Sequence, residues 1–410
     1  MQLSARLVRS LSLPSPASTT LQEIAANHKG IAKLVLKKGK TQLFKDGSPM
    51  VYSGAVDRIV GRPPPKSGDV VLVADGTEKP IGWGMYNAVS MFCVRLMQLE
   101  EETARDPSCA LNMEKLLETR IRDALELRRS LGLPSMDTNA YRLVNSEGDR
   151  LSGLIVDVFG NLAVVASSAA WVEKYKSEIE SCICRTCDID HIRWRPSADI
   201  LKEEGLDISD LGEPHPSHSL ERVKVIENGI AYAISLEGQK TGFYADQREN
   251  RKFISTISEG RKVLDICCYS GGFSLNAAKG GAVDVLGVDT SIPALDLAKE
   301  NILLNKLDPG RISYLREDAT EFMKSAASRH ESWDLVILDP PKLAPRRKVL
   351  QNASGVMTQS GLFLCILQSA ASMVGRKVTV LRQAGAACDH PIDPSYPEGA
   401  YLSNVMLRVL

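Results

Sequence analysis

The stretch VLDICCYSGGFSLNAAKGGAVDVLGVDTS, residues 263–291, predicts the fold of the C-terminal half of the chain. An apolar strand at Val263–Ile266 leads into a loop that carries Gly271 and Gly272, and a helical pattern and a second apolar strand follow. This order is the first half of a nucleotide-type βαβ unit, in which glycines let the backbone approach a ligand closely. The second strand ends on Asp289, where a carboxylate can bind the two hydroxyls of a ribose. The spacing fits neither the dinucleotide motif GxGxxG nor a P-loop, because no GKS or GKT follows.

The same pattern of a strand followed by an acidic residue continues beyond Asp289. A helical pattern comes next, and the short strand Ile312–Leu315 then precedes Asp318. A further apolar strand ends on Asp339 and runs directly into Pro340-Pro341-Lys342. Ligands bind at the carboxyl ends of the strands in an open parallel sheet, so we predict that these acids lie along one ligand-binding edge.

Length and composition predict a globular chain of two or three domains. The chain has 410 residues, 44% of them hydrophobic, with 50 basic and 50 acidic side chains. No run approaches the roughly 18 apolar residues of a membrane span, so no membrane partner is expected. Residues 31–95 hold ten Lys/Arg against five acids. This local excess suggests a phosphate-bearing partner, although an ordinary solvated surface explains it equally well.

The nine cysteines indicate neither a disulfide framework nor a metal site. An odd number without paired spacing favours a reducing compartment. Cys182, Cys184 and Cys187 form CxCxxC, but no fourth ligand follows at finger spacing, so a helix end is preferred and no metal is predicted.

The N-terminal segment has the composition of a transit peptide. Residues 1–29 contain Arg6, Arg9, seven Ser/Thr and one acid, Glu23. We therefore expect an organellar protein, with the plastid favoured over the mitochondrion. The alternative is a disordered tail on a cytoplasmic protein.

Short alternating segments predict a small β-barrel in the N-terminal part. They lie at residues 32–36, Val51–Val56, Asp69–Ala74 and Phe92–Leu96, separated by turn-forming residues. The stretch from Gly68 through the GWG sequence at 82–84 resembles a PUA domain, a pseudo-barrel used for RNA.

Motifs from the whole chain together identify a family. The PUA-like barrel is followed by RLVNSEGDRLSGLIVDVFG at 142–160, by QKTGFYADQRENR at 239–251 and by DPPK at 339–342. This combination resembles the bacterial large-subunit rRNA cytosine-C5 methyltransferase family over roughly residues 31–410. The implied fold is an α/β Rossmann-type class I methyltransferase domain preceded by a PUA-like β-barrel and a small α/β domain. Residues 1–30 would be transit-peptide-like or disordered, 31–98 the barrel, 99–236 the middle domain with its linker helix, and 237–410 the methyltransferase domain.

The resemblance also implies roles for individual residues. The cofactor would be S-adenosylmethionine and the partner ribosomal RNA. Asp339 and Lys342 would lie at the methyl-transfer end of the site. The residues that the resemblance assigns to cofactor binding are Gln247, Arg248, Asp265, Tyr269, Gly271, Gly272, Asp289 and Asp318.

One part of the family pattern is missing. C5 of cytosine is a weak nucleophile, and enzymes of this family first add a cysteine thiolate to C6. Their cysteine lies in a Ser-Cys-Ser-type motif on the fifth strand, which this chain lacks. Val378 follows Asp339 by only 39 positions, whereas a helix, a strand and a second helix with their loops need about 55–70 residues. We predict that about 25–30 residues, including central strand five, are absent between Gly355 and Val356, as in a splice variant or a gene-model error.

The remaining cysteines are poor substitutes for the missing nucleophile. Cys267 and Cys268 lie in the cofactor loop, where small residues serve packing, and Cys365 has the spacing of a core position. Cys388, which precedes Asp389-His390-Pro391, is a weak candidate.

These observations predict an S-adenosylmethionine-dependent rRNA methyltransferase whose shortened form has reduced activity or none. A different RNA position or nucleophile is the nearest alternative. A catalytically dead RNA-binding or ribosome-assembly factor is the alternative from another functional class. The sequence makes no prediction of oligomeric state.

Overall fold

The computed structural model describes residues 20–28, 30–207, 222–236, 241–340 and 367–410. Packing divides the chain into two compact units. The first unit comprises the described residues up to Arg120, Ala169–Cys182 and the segment that starts at Ala198. The second comprises Ile121–Ser168, Ile183–Ser197 and the described residues from 222 onwards.

A six-stranded sheet with the strand order β2-β6-β5-β4-β1-β3 forms the first unit. Its strands are β1 (Ala32–Leu36), β2 (Met50–Tyr52), β3 (Val56–Val60), β4 (Val70–Ala74), β5 (Pro80–Tyr86) and β6 (Phe92–Leu99). The unit also contains the helices α1 (Leu21–Ala26), α2 (Gln42–Lys45) and α3 (Glu100–Arg105). All neighbours are antiparallel except β1 and β4, and the apolar faces of the strands enclose one core.

The predicted strand at Val51–Val56 is wrong in one respect. A 3-10 turn at Ser53–Ala55 divides this segment. The strand before the turn pairs with β6 and the strand after it pairs with β1, so the chain changes partners at the turn.

Residues 113–203 contain four helices among the described residues, and one of them is much longer than the others. They are α4 (Met113–Ser130), α5 (Ala170–Lys174), α6 (Lys176–Thr186) and α7 (Ala198–Glu203). The observed α4 agrees with the amphipathic pattern of the sequence, in which apolar positions recur at helical spacing.

The second unit contains a four-stranded sheet and a hairpin that pack on a further, parallel sheet of four strands. The four strands, in the order β10-β9-β8-β7, are β7 (Ala140–Asn145), β8 (Leu154–Phe159), β9 (Leu162–Ser167) and β10 (His191–Pro196). The hairpin consists of β11 (Arg222–Glu227) and β12 (Ile230–Ser235). Phe159 and Val164 belong to the same core cluster as Val263 and Leu275. This shared core places the four-stranded sheet, the hairpin and the parallel sheet in one unit, and the domain boundaries at 98 and 236 stay predictions.

The parallel sheet has the strand order β15-β14-β13-β16. Its strands are β13 (Lys262–Ile266), β14 (Asp284–Asp289), β15 (Ile312–Arg316) and β16 (Leu335–Leu338). The helices around it are α8 (Arg248–Ile257), α9 (Gly272–Lys279), α10 (Ile292–Leu304) and α11 (Ala319–Ser328). The predicted parallel sheet is confirmed, with strand ends within about one residue of the predicted ones.

The two C-terminal strands form a separate pair. These strands, β17 (Val378–Ala384) and β18 (Asn404–Val409), are antiparallel and bond only to each other in the described part of the chain. Within the same residues, β16 pairs with β13 alone. Val336 and Leu338 on β16 are 54% and 45% exposed, whereas strands of a parallel sheet are usually covered on both faces. The junction between Gly355 and Val356 lies outside the described residues, so the absent strand stays a prediction.

The described residues contain neither a membrane-spanning helix nor a cluster of metal ligands. No helix among them is long and apolar enough to cross a bilayer. No group of three or more His, Cys, Asp or Glu side chains within them could hold a metal ion.

Candidate functional site

Four carboxylates gather at the carboxyl edge of the parallel sheet. Asp265 and Asp289 lie on β13 and β14, and Asp318 and Asp339 follow β15 and β16. The parallel register brings these strand ends side by side. This is the edge at which an open α/β sheet binds ligands.

Asp265 is fully buried and only partly satisfied. Its Oδ2 accepts hydrogen bonds from the backbone N of Ser274 at 2.9 Å and from the Ser274 hydroxyl at 2.6 Å. Its Oδ1 accepts none from the described residues. Burial, reinforced by the negative charges of Asp339 and Asp289, raises the pKa of Asp265 to about 7. A positively charged donor in the site would therefore stabilise the ionised form.

The loop after β13 allows a close approach to the backbone. Gly271 has φ +79° and precedes the first turn of α9, and a Cβ there would overlap the Tyr314 hydroxyl. Gly272 begins α9, over the side chain of Arg251. Cys267 also adopts a left-handed conformation, with φ +62°. Non-glycine residues are uncommon in this region, and they concentrate at functional loops.

Asp289 ties this loop to the end of β14. Its two carboxylate oxygens accept hydrogen bonds from the backbone N of Tyr269 and of Ser291, each at 2.9 Å. The backbone of Tyr269 is left-handed, with φ +49°. Its ring meets the ring of Tyr244 edge-on, and the two ring centres lie 5.3 Å apart. Since each oxygen of a carboxylate has two lone pairs, Asp289 can still accept from ribose hydroxyls.

Asp318 caps a helix in the structure. Its Oδ1 accepts from the backbone N of Thr320 at 2.9 Å and of Glu321 at 3.2 Å, at the start of α11. Its Oδ2 accepts no hydrogen bond from the described residues. The carboxylate therefore keeps an oxygen for the adenine amino group, and its predicted contact with adenine stays a prediction.

Gln247 connects Asp339 to the C-terminal part of the chain. Its Nε2 lies 3.3 Å from both carboxylate oxygens of Asp339. Its Oε1 accepts from Asn250 Nδ2, which also donates to the carbonyl of Gly385. Gln247 is only 3% exposed, so these contacts hold its amide in one orientation. Lys342, the other predicted residue of the methyl-transfer end, lies outside the described residues.

Arg248 contacts a buried aspartate. Its guanidinium donates to both oxygens of Asp389, each at 2.9 Å. The same carboxylate accepts from the backbone N of Arg142 and lies 3.0 Å from His390 Nδ1. Arg128 donates to the carbonyl of Asp389. Arg248 therefore holds the 387–391 loop in place, and its predicted role at the cofactor pocket stays a prediction.

The sequence reasoning missed this network around Asp389. The family resemblance places Asp389-His390-Pro391 in a loop that lines the site, but it gives no role to the Asp389 carboxylate, to Arg128 or to Arg142. Their long-range contacts leave no periodic signal in the sequence. The one usable signal was the DHP tripeptide itself.

A second buried ion pair was also missed. Arg251 donates to both oxygens of Glu227, at 2.7 Å each, and to the Tyr244 carbonyl. Its guanidinium lies 4.9 Å from the centre of the Phe243 ring. Glu227 is fully buried. This pair fixes α8 on the β11–β12 hairpin beneath the glycine loop.

The described cysteines of the site are poorly suited to act as nucleophiles. Burial and the nearby carboxylates Asp289 and Asp339 raise the pKa of Cys267. Burial also raises the pKa of Cys268 far above its usual value. For Cys388, burial and the Glu249 side chain together raise the pKa. Because the thiolate is the reactive form, each shift lowers reactivity.

These residues fit S-adenosylmethionine. The buried acceptor at Asp265 Oδ1 matches the positive amino group of an amino acid. Asp289 presents carboxylate oxygens suited to the hydroxyls of a ribose at the end of β14.

Comparison with protein families assigns both predicted domains. A profile of S-adenosylmethionine-dependent methyltransferases matches residues 210–375. A profile of PUA-like domains matches residues 34–99. The predicted combination of the two domains is confirmed.

Relatives match over nearly their whole length. The ribosomal RNA large subunit methyltransferase I of Alteromonas mediterranea is 32% identical over 406 residues, which include 92% of this chain and 99% of the relative. The protein of the same name from Escherichia coli K12 is 30% identical over 408 residues, with the same shares of both chains.

Solved structures share the fold. SMU.776, a methyltransferase solved in complex with S-adenosylhomocysteine, matches with a TM-score of 0.73 at 19% identity and covers 92% of this chain. An S-adenosylmethionine-dependent methyltransferase from Streptococcus mutans matches with a TM-score of 0.72 at 20% identity.

Proposed function

Because this chain belongs to the ribosomal RNA large subunit methyltransferase I family, we propose that it methylates a cytosine of large-subunit ribosomal RNA at C5. The observation that carries this proposal is that the chain matches relatives of that name over 99% of their length. The carboxylates at the carboxyl edge of the parallel sheet and the PUA-like domain support it.

Each part of the site has a task in this reaction. S-adenosylmethionine, when bound, supplies an electrophilic methyl group. Asp265 and Asp289 would hold its amino group and its ribose, and Asp318 its adenine. Asp339, oriented by Gln247, would face the target base at the methyl-transfer end.

We further propose that this form of the chain has reduced activity or none. Its described cysteines in the site have raised thiol pKa values, and no family nucleophile was recognised in the sequence. The alignment with the Alteromonas relative adds support. The alignment has 406 positions and includes 92% of the 410 residues of this chain, which is about 377 residues. About 29 positions of the alignment are therefore occupied by the relative alone. That total agrees with the predicted absent segment.

Methyl transfer from radiolabelled S-adenosylmethionine to transcribed large-subunit rRNA tests both proposals. Label in cytosine C5 at a rate far below that of the Escherichia coli relative supports both. Label at a rate equal to that relative contradicts the impaired activity. Label only at another nucleotide or in another RNA contradicts the proposed target.

We also propose that the protein acts in an organelle, with the plastid favoured over the mitochondrion. The basic, Ser/Thr-rich composition of residues 1–29 supports this. Fusing residues 1–30 to a fluorescent protein tests it in a plant cell. Fluorescence in plastids is expected, and fluorescence that stays in the cytoplasm would contradict the proposal.

A further inference from the structure

Tyr401 is an exposed residue whose hydroxyl is anchored. The residue is 47% exposed. Its Oη donates to Oδ2 of Asp246 at 2.8 Å, and Asp246 is only 3% exposed. Burial of the hydroxyl, together with the negative charge of Asp246, raises the pKa of Tyr401 well above its usual value. The ring is therefore held by its far end while part of its surface stays open to solvent.

The anchor of this ring lies beside the methyl-transfer end of the site. Asp246 immediately precedes Gln247, whose amide contacts both carboxylate oxygens of Asp339. Consecutive Cα atoms are about 3.8 Å apart, so the two contacts belong to one short turn. The carbonyl of Asp246 also accepts from the backbone N of Ala387. One rigid turn thus positions both Asp339 and the ring of Tyr401.

An exposed aromatic ring of this kind matches one class of ligand. Proteins that act on single-stranded RNA stack unpaired bases on aromatic side chains. An enzyme that modifies a base must also remove that base from its stack. A fixed hydroxyl keeps the ring in place before the base arrives, which lowers the entropy lost on binding.

We propose that the exposed face of Tyr401 is a stacking platform for an unpaired base of the RNA substrate. This inference rests on the proposed function, because the platform has a ligand of this class only if the substrate is RNA.

The test measures RNA affinity and cofactor affinity separately. Fluorescence anisotropy with a labelled single-stranded fragment of large-subunit rRNA reports RNA binding, and calorimetry reports S-adenosylmethionine binding. Neither readout requires turnover. Tyr401→Ala should weaken RNA binding about 5- to 100-fold, the range expected for the loss of one stacked base. Its affinity for S-adenosylmethionine should stay within about twofold of wild type.

Three matched variants separate stacking from a structural role. Tyr401→Phe keeps the ring but loses the bond to Asp246, and Tyr401→Leu keeps apolar bulk without an aromatic face. Met373→Ala removes an apolar side chain that is 86% exposed elsewhere in the same unit. RNA affinity should stay near wild type for the Met373 variant, fall only slightly for the Phe variant, which keeps the ring but loses its anchor, and fall most for the Leu variant.

The possible outcomes separate a failure of the stacking platform from a failure of the proposed rRNA methyltransferase function. RNA affinity equal to wild type in both the Ala and Leu variants overturns the platform alone. A loss in the Phe variant as large as that in the Ala variant also overturns it, because the hydroxyl and not the ring would then matter. If the wild-type chain binds S-adenosylmethionine but no RNA, the proposed function falls together with the platform.

Discussion

The guanidinium of Arg248 and the carboxylate of Asp389 form a bidentate ion pair, with both nitrogen–oxygen distances at 2.9 Å. The two residues are 141 positions apart, and both are buried. Asp389 also accepts from the backbone N of Arg142. This pair therefore joins α8, β7 and the 387–391 loop in one place, beside the turn that holds Gln247.

Arg248→Ala should destabilise the second unit by about 3–5 kcal/mol, because it leaves the Asp389 carboxylate buried without its charged partner. Chemical denaturation measures this loss. The control is Arg222→Ala, which breaks an exposed pair with Glu300 over 2.7 Å and should cost at most about 1 kcal/mol. Equal losses in the two variants would mean that the Arg248–Asp389 pair contributes no more than a surface pair.

Asp289→Ala should weaken S-adenosylmethionine binding roughly 10- to 100-fold, the range expected when hydrogen bonds to a charged group are lost. The variant also releases the backbone N of Tyr269 and of Ser291. Asp284→Ala on the same strand is the control, since the side chain of Asp284 forms an exposed pair with Lys262 and has no other ion pair among the described residues. Calorimetry should find cofactor affinity unchanged in the control. Unchanged affinity in the Asp289 variant would remove this residue from the cofactor site.

Gly271→Ala should lower both stability and cofactor affinity. Gly271 and Gly260 both have a left-handed backbone, with φ +79° and +70°, so alanine is strained by about 1–2 kcal/mol at either position. Only at Gly271 does the added Cβ also overlap the Tyr314 hydroxyl, whereas nothing lies within 4 Å of a Cβ at Gly260. We expect Gly271→Ala to cost about 1–3 kcal/mol more than Gly260→Ala in chemical denaturation.

A second substitution tests the cause of that difference. Tyr314→Phe removes the overlapping oxygen and should recover part of the loss in the Gly271→Ala background. No recovery would show that the backbone strain alone accounts for the effect.

The stability of the chain should depend on the ionisation of Asp265. Burial, with the charges of Asp339 and Asp289, raises its pKa from 3.8 to about 7 in the folded state. The folded state therefore binds more protons than the unfolded state between these pH values, and stability falls as the pH rises through this window. Between pH 5 and pH 7, the free energy of unfolding of the wild type should fall by on the order of 2 kcal/mol relative to that of Asp265→Asn, whose side chain cannot ionise. Denaturation curves at pH 5, 6, 7 and 8 measure this difference, and a constant difference would contradict the raised pKa.

Restoring the predicted absent segment should repair both the fold and the chemistry. The experiment inserts the corresponding segment of the Escherichia coli relative, about 25–30 residues long, between Gly355 and Val356. The insertion should raise the melting temperature and lower the binding of a hydrophobic dye, because it would cover Val336 and Leu338. Methyl transfer to rRNA should appear as well.

A matched chimera separates the two effects. Replacing the inserted cysteine with alanine should keep the gain in melting temperature and abolish methyl transfer. If the first chimera is no more stable than the parent chain, no central strand is missing.

The predictable part of the site depended on local patterns. A parallel strand brings its last residue to a known edge of the sheet, so Asp289, Asp318 and Asp339 could be placed together from the strand ends. Asp265 received its place only from the family resemblance. Gly271 was predictable for a similar reason, because a strand, a glycine loop and a helix follow one another directly in the chain. The observed Ile312–Arg316 strand differs from its predicted range by a single residue.

The sequence by itself determined the parallel sheet, the acids along its edge and the family, because each motif that indicates them is a short run of neighbouring residues. Only the tertiary structure decided that Arg248 meets Asp389, that Gln247 holds Asp339 and that Asp246 anchors Tyr401. These contacts join residues 92 to 155 positions apart. Their partners are selected by how the buried charges and amides of separate segments satisfy one another once the core has formed, and no spacing in the sequence records that choice.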